Sequence, residues 1–150
     1  MSLLEQRLPI GSVTVMVQKE AAVRLCAEVG TRDAGAVTVA VSYFAESEIL
    51  FYVNRDSFVP APNVDSAVIK LNIRSCPPVS VNDEKAFFAL VKACFAQRRK
   101  TLVNTVSNTL NIDKEILKSC LNELSLSPTA RGEELTMEQL AKLSDMIYEK

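Results

Sequence analysis

The clearest chemical signal in this sequence is a run of three cations. Arg98, Arg99 and Lys100 stand in the stretch "FAQRRKTLVN", and residues 85–112 contain five basic side chains but no acidic one. Because no carboxylate lies three or four positions away, intrahelical ion pairs do not account for the run. One interpretation is an ordinary solvated helix face. We favour the other, polyanion binding, because unneutralised positive charge attracts anionic partners.

Polar side chains around this run are suited to contacts with phosphate and sugar groups. They are Gln97, Thr101, Asn104, Thr105, Ser107 and Asn108. A second stretch, "SPTARGEELTMEQLAKL", is typical of a structural loop that leads into a helix, and Arg131 is the residue in it that we would test for RNA contact. Residues 1–84 carry ten acidic and seven basic side chains, and residues 113–150 carry eight and five. The basic block therefore lies between acidic flanks.

An aromatic side chain beside two prolines forms a second candidate site. In "SFVPAPNVDS", Pro60 and Pro62 stiffen the chain and place Phe58 near the apex of a loop. The residues alone favour a strand-connecting loop whose phenylalanine packs into the core. The functional alternative is an aromatic platform that stacks on a base held out of a nucleic-acid helix.

The composition excludes several kinds of catalytic site. The chain has no histidine, so it holds no Ser-His-Asp triad, Cys-His dyad or histidine-based zinc site, and we expect no metal. Its four glycines build neither a P-loop nor a dinucleotide-binding loop. The four cysteines form no CxxC pair, which favours reduced thiols. With no apolar run long enough to span a membrane and no secretory signal, we expect a cytoplasmic protein.

The first half of the sequence predicts strands mixed with helices. "SVTVMVQ" (12–18) is typical of a buried strand of a parallel or mixed sheet, and the helical pattern that follows is expected to end at Gly30. Residues 47–54 and 65–75 also have strand patterns, the latter with a clear period of two. The stretch 35–45 fits either a strand or a helix. About three strands are few for such a layer, so the sheet looks incomplete.

The second half predicts only helices. "SCPPVSVNDE" (75–84) is a linker in which Asn82 or Asp83 caps the next helix. Helical patterns cover 84–110, 113–124 and 135–148, with Asp113 and Thr136 as N-caps. Burying unpaired arginines on the apolar stripe of the first of these helices is costly. We therefore expect that helix to break near Gln97 and Arg98 and to restart around Lys100 or Thr101.

Five stretches together resemble the small-subunit rRNA adenine N6,N6-dimethyltransferases, also called dimethyladenosine transferases or kasugamycin-susceptibility methyltransferases. They are "MVQKEAAVRL", "GAVTVAVSYFAE", "FVPAPNVDSAV", "FAQRRKTLVNT" and "ARGEELTMEQLAKL", in this order. The most specific are the F-x-P-x-P-x-V-x-S pattern that begins at Phe58 and the QRRKT at 97–101. The resemblance covers the chain from about residue 4 onwards.

This resemblance implies an α+β fold that corresponds to the C-terminal portion of the family. Residues 1–78 would form the last strands and helices of a Rossmann-like methyltransferase sheet, and residues 79–150 a small all-α domain that binds rRNA. Family members are longer and begin with a glycine-rich loop for S-adenosylmethionine and an N-[LI]-P-Y motif. Neither occurs in this sequence. We therefore expect this chain alone neither to bind S-adenosylmethionine nor to methylate.

The resemblance also implies roles for single residues. Phe58 would stack on the flipped target adenine, and Arg98, Arg99 and Lys100 would contact rRNA phosphates. The family reaction transfers methyl groups from S-adenosylmethionine to N6 of two adjacent adenosines in small-subunit rRNA. The expected partner is that rRNA within the 30S subunit, and no membrane is expected. Two alternatives stay open: a non-catalytic RNA-binding or ribosome-assembly module, and an interaction domain that dimerises through its unpaired sheet edge.

Overall fold

A three-stranded antiparallel sheet forms one layer of the protein. The computed structural model describes residues 2–149. The strands are β1 (Ser12–Gln18), β2 (Ala45–Val53) and β3 (Ser66–Ile73), in the order β1-β3-β2. Residues of the central strand alternate as the sequence predicted, with Ala67, Ile69 and Leu71 buried on one face. Ile69 pairs with Val15 on one side and with Ile49 on the other.

Two expectations for β1 are wrong. The strand was expected to belong to a parallel or mixed sheet, whereas β3 runs antiparallel to β1 and to β2. The strand was also expected to be buried, yet only Val13 and Val17 reach half-burial, and Met16 is 52% exposed. The reason is position: β1 is an edge strand, and helices cover one face of the sheet only.

Seven α-helices complete the described part of the chain. They are α1 (Ser2–Glu5), α2 (Lys19–Leu25), α3 (Ala36–Phe44), α4 (Glu84–Cys94), α5 (Leu102–Leu110), α6 (Lys114–Glu123) and α7 (Met137–Glu149), with short 3-10 turns at Arg55–Ser57 and Gly132–Glu134. The ambiguous stretch 35–45 is thus helical over most of its length. Within residues 2–149, no helix is both long and apolar enough to cross a membrane.

The first long helix ends earlier than the sequence indicated. We expected Gly30 to cap it, but α2 stops at Leu25. Its last carbonyls find side-chain partners elsewhere: the Thr38 hydroxyl donates to the Arg24 carbonyl at 2.7 Å, and the Ser47 hydroxyl donates to the Leu25 carbonyl at 3.4 Å. Because these carbonyls are satisfied in this way, the helix can end without a glycine cap.

The predicted helix break is confirmed. Helix α4 ends at Cys94, and α5 begins at Leu102 with Thr101 as its N-cap, whose hydroxyl accepts from the Asn104 N–H at 3.4 Å. The expected caps at Asp83, Asp113 and Thr136 are confirmed as well. A loop of seven residues, 95–101, therefore separates two helices that a continuous apolar pattern would have joined.

One hydrophobic core runs through both halves of the chain. Its densest part is an aromatic cluster in which Tyr43 and Phe44 of α3 meet Phe87 and Phe88 of α4, with ring centroids 5.1–5.6 Å apart. The boundary expected at residue 78 falls in the connection between β3 and α4. Whether residues 1–78 and 79–150 are separate domains stays a prediction.

Candidate nucleic-acid interface

The loop between α4 and α5 presents the cationic run to solvent. Gln97, Arg98, Arg99 and Lys100 are all exposed, and the Lys100 N–H donates to the Gln97 carbonyl at 3.0 Å to form a tight turn. Thr101 then starts α5. Because the helix is interrupted here, no cation has to occupy the apolar stripe that α4 and α5 turn toward the core. The break thus removes the desolvation cost that an unbroken helix would impose.

The connection between α6 and α7 lies directly beside this loop. The Leu102 N–H donates to the Ala130 carbonyl at 2.8 Å, and Gly132 packs against Cys94 at the end of α4. Arg131 stands between these two contacts and is exposed. The structure therefore brings Arg131 next to the cationic loop, although about thirty residues separate them in sequence.

A further cation joins this surface through Asn104. The Lys114 ammonium, in the first turn of α6, donates to the Asn104 side-chain oxygen at 2.9 Å. Sequence reasoning identified Asn104 but missed Lys114, because the two residues belong to different helices. The signal that was available is weak: a lysine directly after the N-cap Asp113, just beyond the segment 85–112 that contains no acidic residue.

We call the five cations Arg98, Arg99, Lys100, Lys114 and Arg131 the basic surface. Ion pairs in the described residues 2–149 involve Arg7, Arg74 and Lys118 instead. Among the described residues, no carboxylate lies within ion-pair distance of a cation of the basic surface. Charges that are exposed, clustered and unneutralised produce a positive potential that favours a polyanionic partner.

Arg98 differs from its neighbours because it also contacts the first half of the chain. Its guanidinium donates to the Arg32 carbonyl at 3.0 Å, in the segment that leads into α3. Arg99 and Lys100 form no side-chain hydrogen bond within residues 2–149 and are free to reach a partner. Arg98 therefore both carries charge and ties the loop to the sheet side of the molecule.

Phe58 lies in a different place, in the connection between β2 and β3. It is half-buried and does not belong to the hydrophobic core, whereas Val59 beside it is 100% exposed. Arg55 braces this loop: its N–H donates to the Asp65 carboxylate at 3.0 Å, and its guanidinium donates to the Asn63 carbonyl at 3.2 Å. Among residues 2–149 no hydrogen bond or ring contact joins Phe58 to the basic surface. Its role as a base-stacking residue stays a prediction.

Two features of residues 2–149 bear on metal and thiol chemistry. Residues 2–149 contain no cluster of three potential metal ligands. Burial raises the pKa of the Cys94 thiol to about 12, which keeps that thiol protonated and unreactive.

Comparison with known proteins gives a consistent result. The family model of ribosomal RNA adenine dimethylase matches residues 1–148. The chain is 49% identical to ribosomal RNA small subunit methyltransferase A of Geobacillus thermodenitrificans over 150 residues, which cover 98% of this chain and 51% of the relative. The corresponding protein of Bacillus cytotoxicus is also 49% identical, over 97% of this chain and 51% of its own length.

Solved structures agree with these matches. A dimethyladenosine transferase from Plasmodium falciparum superposes with a TM-score of 0.73 at 28% identity, covering 93% of this chain and 58% of that protein. The 23S rRNA methyltransferase ErmE superposes with a TM-score of 0.67 at 20% identity, covering 98% of this chain and 59% of that protein. At this low identity the superposition supports the fold alone. The chain spans about half the length of the curated relatives it matches. It belongs to the ribosomal RNA adenine dimethylase family.

Proposed function

We propose that this chain is the RNA-binding, C-terminal portion of an rRNA adenine dimethyltransferase. The observation that carries the proposal is the basic surface, in which five unneutralised cations from three separate segments converge. Gln97, Thr101 and Asn104 lie among them and supply neutral donors and acceptors for phosphate and sugar. The parent enzyme would transfer methyl groups from S-adenosylmethionine to N6 of two adjacent adenosines of small-subunit rRNA in the cytoplasm.

The sheet supports the finer assignment to the end of a Rossmann-like domain. Met16, Val68 and Phe51 lie side by side on the face that points away from the buried Ile69, and Met16 and Phe51 are more than half exposed. Strand β1 has a free edge and no charged residue. An apolar row across the open face, beside an uncharged edge, fits a sheet that continues in a longer protein.

S-adenosylmethionine does not fit the residues of this chain. No glycine follows the last residue of any of the three strands, so the strand–glycine–helix turn that cradles such cofactors is missing from residues 2–149. We propose that the chain alone neither binds the cofactor nor methylates. Titration calorimetry with S-adenosylmethionine tests this, and micromolar binding would contradict it.

RNA binding is tested by filter binding with a hairpin from the 3′ end of small-subunit rRNA. Affinity should fall steeply with salt, because each phosphate contact releases condensed counterions. Reversing the charges of Arg98, Arg99 and Lys100 together should abolish binding. The same triple variant should stay folded, since all three side chains are exposed, and its melting temperature should fall only by the loss of the hydrogen bond between Arg98 and the Arg32 carbonyl. Unchanged RNA affinity in the variant would remove the basic surface from the site.

A second candidate function rests on the free edge of β1. Two copies could pair these uncharged strands and bury Val15 and Met16, which would make the chain a dimeric interaction domain. Sedimentation equilibrium distinguishes the two proposals. A dimer without RNA affinity supports the interaction domain, whereas a monomer that binds RNA supports the first proposal. A non-catalytic ribosome-assembly module would bind RNA equally. A methyltransferase assay of the full-length protein distinguishes it from the first proposal.

A further inference from the structure

A narrow cleft at the border of the two halves of the chain collects two arginines. It has a volume of about 190 Å³ and is lined by Arg24, Ala34, Gly35, Ala36, Val37, Phe95 and Arg98. Arg24 comes from the last turn of α2, whereas Arg98 comes from the loop between α4 and α5. The cleft therefore lies next to the basic surface but includes a residue that sequence reasoning did not select for any site.

The charges in this cleft are unbalanced. No carboxylate lines it, although Glu28 and Asp33 occur in the intervening segment. Neither Arg24 nor Arg98 forms an ion pair within residues 2–149. Two positive charges that line one cleft, with no carboxylate beside them, favour an anionic ligand.

The hydrogen bonds at the two arginines leave most of their side-chain donors available. The Arg24 backbone is fixed because its carbonyl accepts from the Thr38 hydroxyl at 2.7 Å. The Arg98 guanidinium uses one N–H to donate a hydrogen bond to the Arg32 carbonyl at 3.0 Å. A guanidinium has five N–H donors, so most of those of Arg98 and all of those of Arg24 remain available. Planar guanidinium groups match the oxygen geometry of phosphate.

We propose that Arg24 and Arg98 together bind one phosphodiester group of the RNA backbone in this cleft. The inference rests on the proposed RNA-binding function and extends it from the helical half of the chain to the sheet half. One RNA strand that crosses the basic surface would then be held at both sides of the border between the halves. The bound phosphate would supply the negative charge that the cleft lacks.

The test compares Arg24→Gln with Lys142→Gln in filter binding to the same rRNA hairpin. Lys142 is an exposed lysine on α7 without an ion pair in the described chain. Its variant therefore measures how much RNA affinity falls when one positive charge is removed away from the cleft. We expect Arg24→Gln to weaken binding about tenfold and to lower the slope of log affinity against log salt by about 1. Lys142→Gln should leave both unchanged, and Arg24→Lys should recover part of the affinity. Ethylation interference should lose its signal at one phosphate with Arg24→Gln.

The other outcomes contradict either the proposed phosphate site in the cleft or the proposed RNA-binding function. If the charge reversal at Arg98, Arg99 and Lys100 abolishes binding while Arg24→Gln binds like the wild type, the cleft is not a phosphate site but the proposed function stands. An equal loss for Arg24→Gln and Lys142→Gln indicates a general charge effect and also overturns the inference. If the wild type binds no RNA, the proposed function fails and the cleft proposal fails with it. Circular dichroism melting curves verify that both variants are folded.

Discussion

Gly132 lies so close to the end of α4 that a β-carbon at this position would stand 2.6 Å from the Cys94 carbonyl oxygen. The neighbouring atom belongs to the backbone, so a side chain cannot be accommodated by a rotamer change. This contact holds the connection between α6 and α7 against the loop that carries Arg98, Arg99 and Lys100. It also explains a glycine at a position where the turn itself requires no unusual backbone angle.

We expect Gly132→Ala to destabilise the protein by about 1–3 kcal/mol, the usual cost of forcing an extra carbon into a packed site. Urea denaturation measures this change. Gly11→Ala is the matched control, because a β-carbon at Gly11 meets no atom within 4 Å. RNA affinity should also fall for Gly132→Ala, since Arg131 must move with the displaced backbone. Equal stability of the two variants would contradict the close packing.

Lys114 should contribute to RNA binding although it lies outside the cationic run. We expect Lys114→Gln to lower the salt slope of RNA affinity by about 1, the effect of one lost phosphate contact. Lys118→Gln is the control on the same helix, because Lys118 is already paired with Glu115 at 2.7 Å. Filter binding at several salt concentrations measures both. Identical slopes for the two variants would exclude Lys114 from the basic surface.

Phe58 should affect the bound base but not the phosphate contacts. With 2-aminopurine in place of the target adenine, wild-type binding should quench fluorescence by stacking, and Phe58→Leu should lose the quenching. The salt slope should stay unchanged, because Phe58 does not contact the basic surface. Tyr52→Leu, at an exposed aromatic residue of neighbouring β2, is the control. Retained quenching in Phe58→Leu would refute the stacking role.

The thiols should differ sharply in reactivity. At pH 8 a maleimide should modify the exposed Cys76 rapidly and leave the buried Cys94 untouched until the chain unfolds. Mass spectrometry of the digested protein identifies the modified residues. Rapid modification of Cys94 in the folded protein would contradict its burial and would show that the contact between the end of α4 and Gly132 opens in solution.

Cys94 should also make stability depend on alkaline pH. Burial raises its pKa from 9.0 to about 12, so between these values the unfolded chain releases a proton that the folded chain retains. The free energy of unfolding should therefore fall as pH rises above 9. Urea denaturation of wild type and Cys94→Ala should reveal a steeper decline for the wild type. Parallel pH profiles would contradict this assignment.

The parts of the fold that the sequence predicted correctly are those with a local signal. The break at 95–101 followed from placing arginines on an apolar stripe, and the caps at Asp83, Asp113 and Thr136 followed from residue type. Strand β3 followed from its period of two. Each of these features depends on residues within one or two turns of chain, so no knowledge of the tertiary structure was needed.

The parts that failed or were missed depend on contacts between distant segments. Which strands pair, and in which direction, is decided by how β3 inserts between β1 and β2, and the sequence of β1 carries no signal of it. The early end of α2 depends on the hydroxyl groups of Thr38 and Ser47. Lys114 and Arg24 look like ordinary surface charges until the fold places them beside the cationic loop.

The aromatic cluster between α3 and α4 has a consequence for how a target nucleotide would be selected. Because Tyr43, Phe44, Phe87 and Phe88 join the two halves within one core, the helices that carry the basic surface hold a set position relative to the sheet from which the Phe58 loop projects. Under the proposed function, an RNA strand held by its phosphates at the basic surface would present a set nucleotide to the Phe58 loop. The choice of nucleotide would then depend on length and shape along the RNA rather than on base identity.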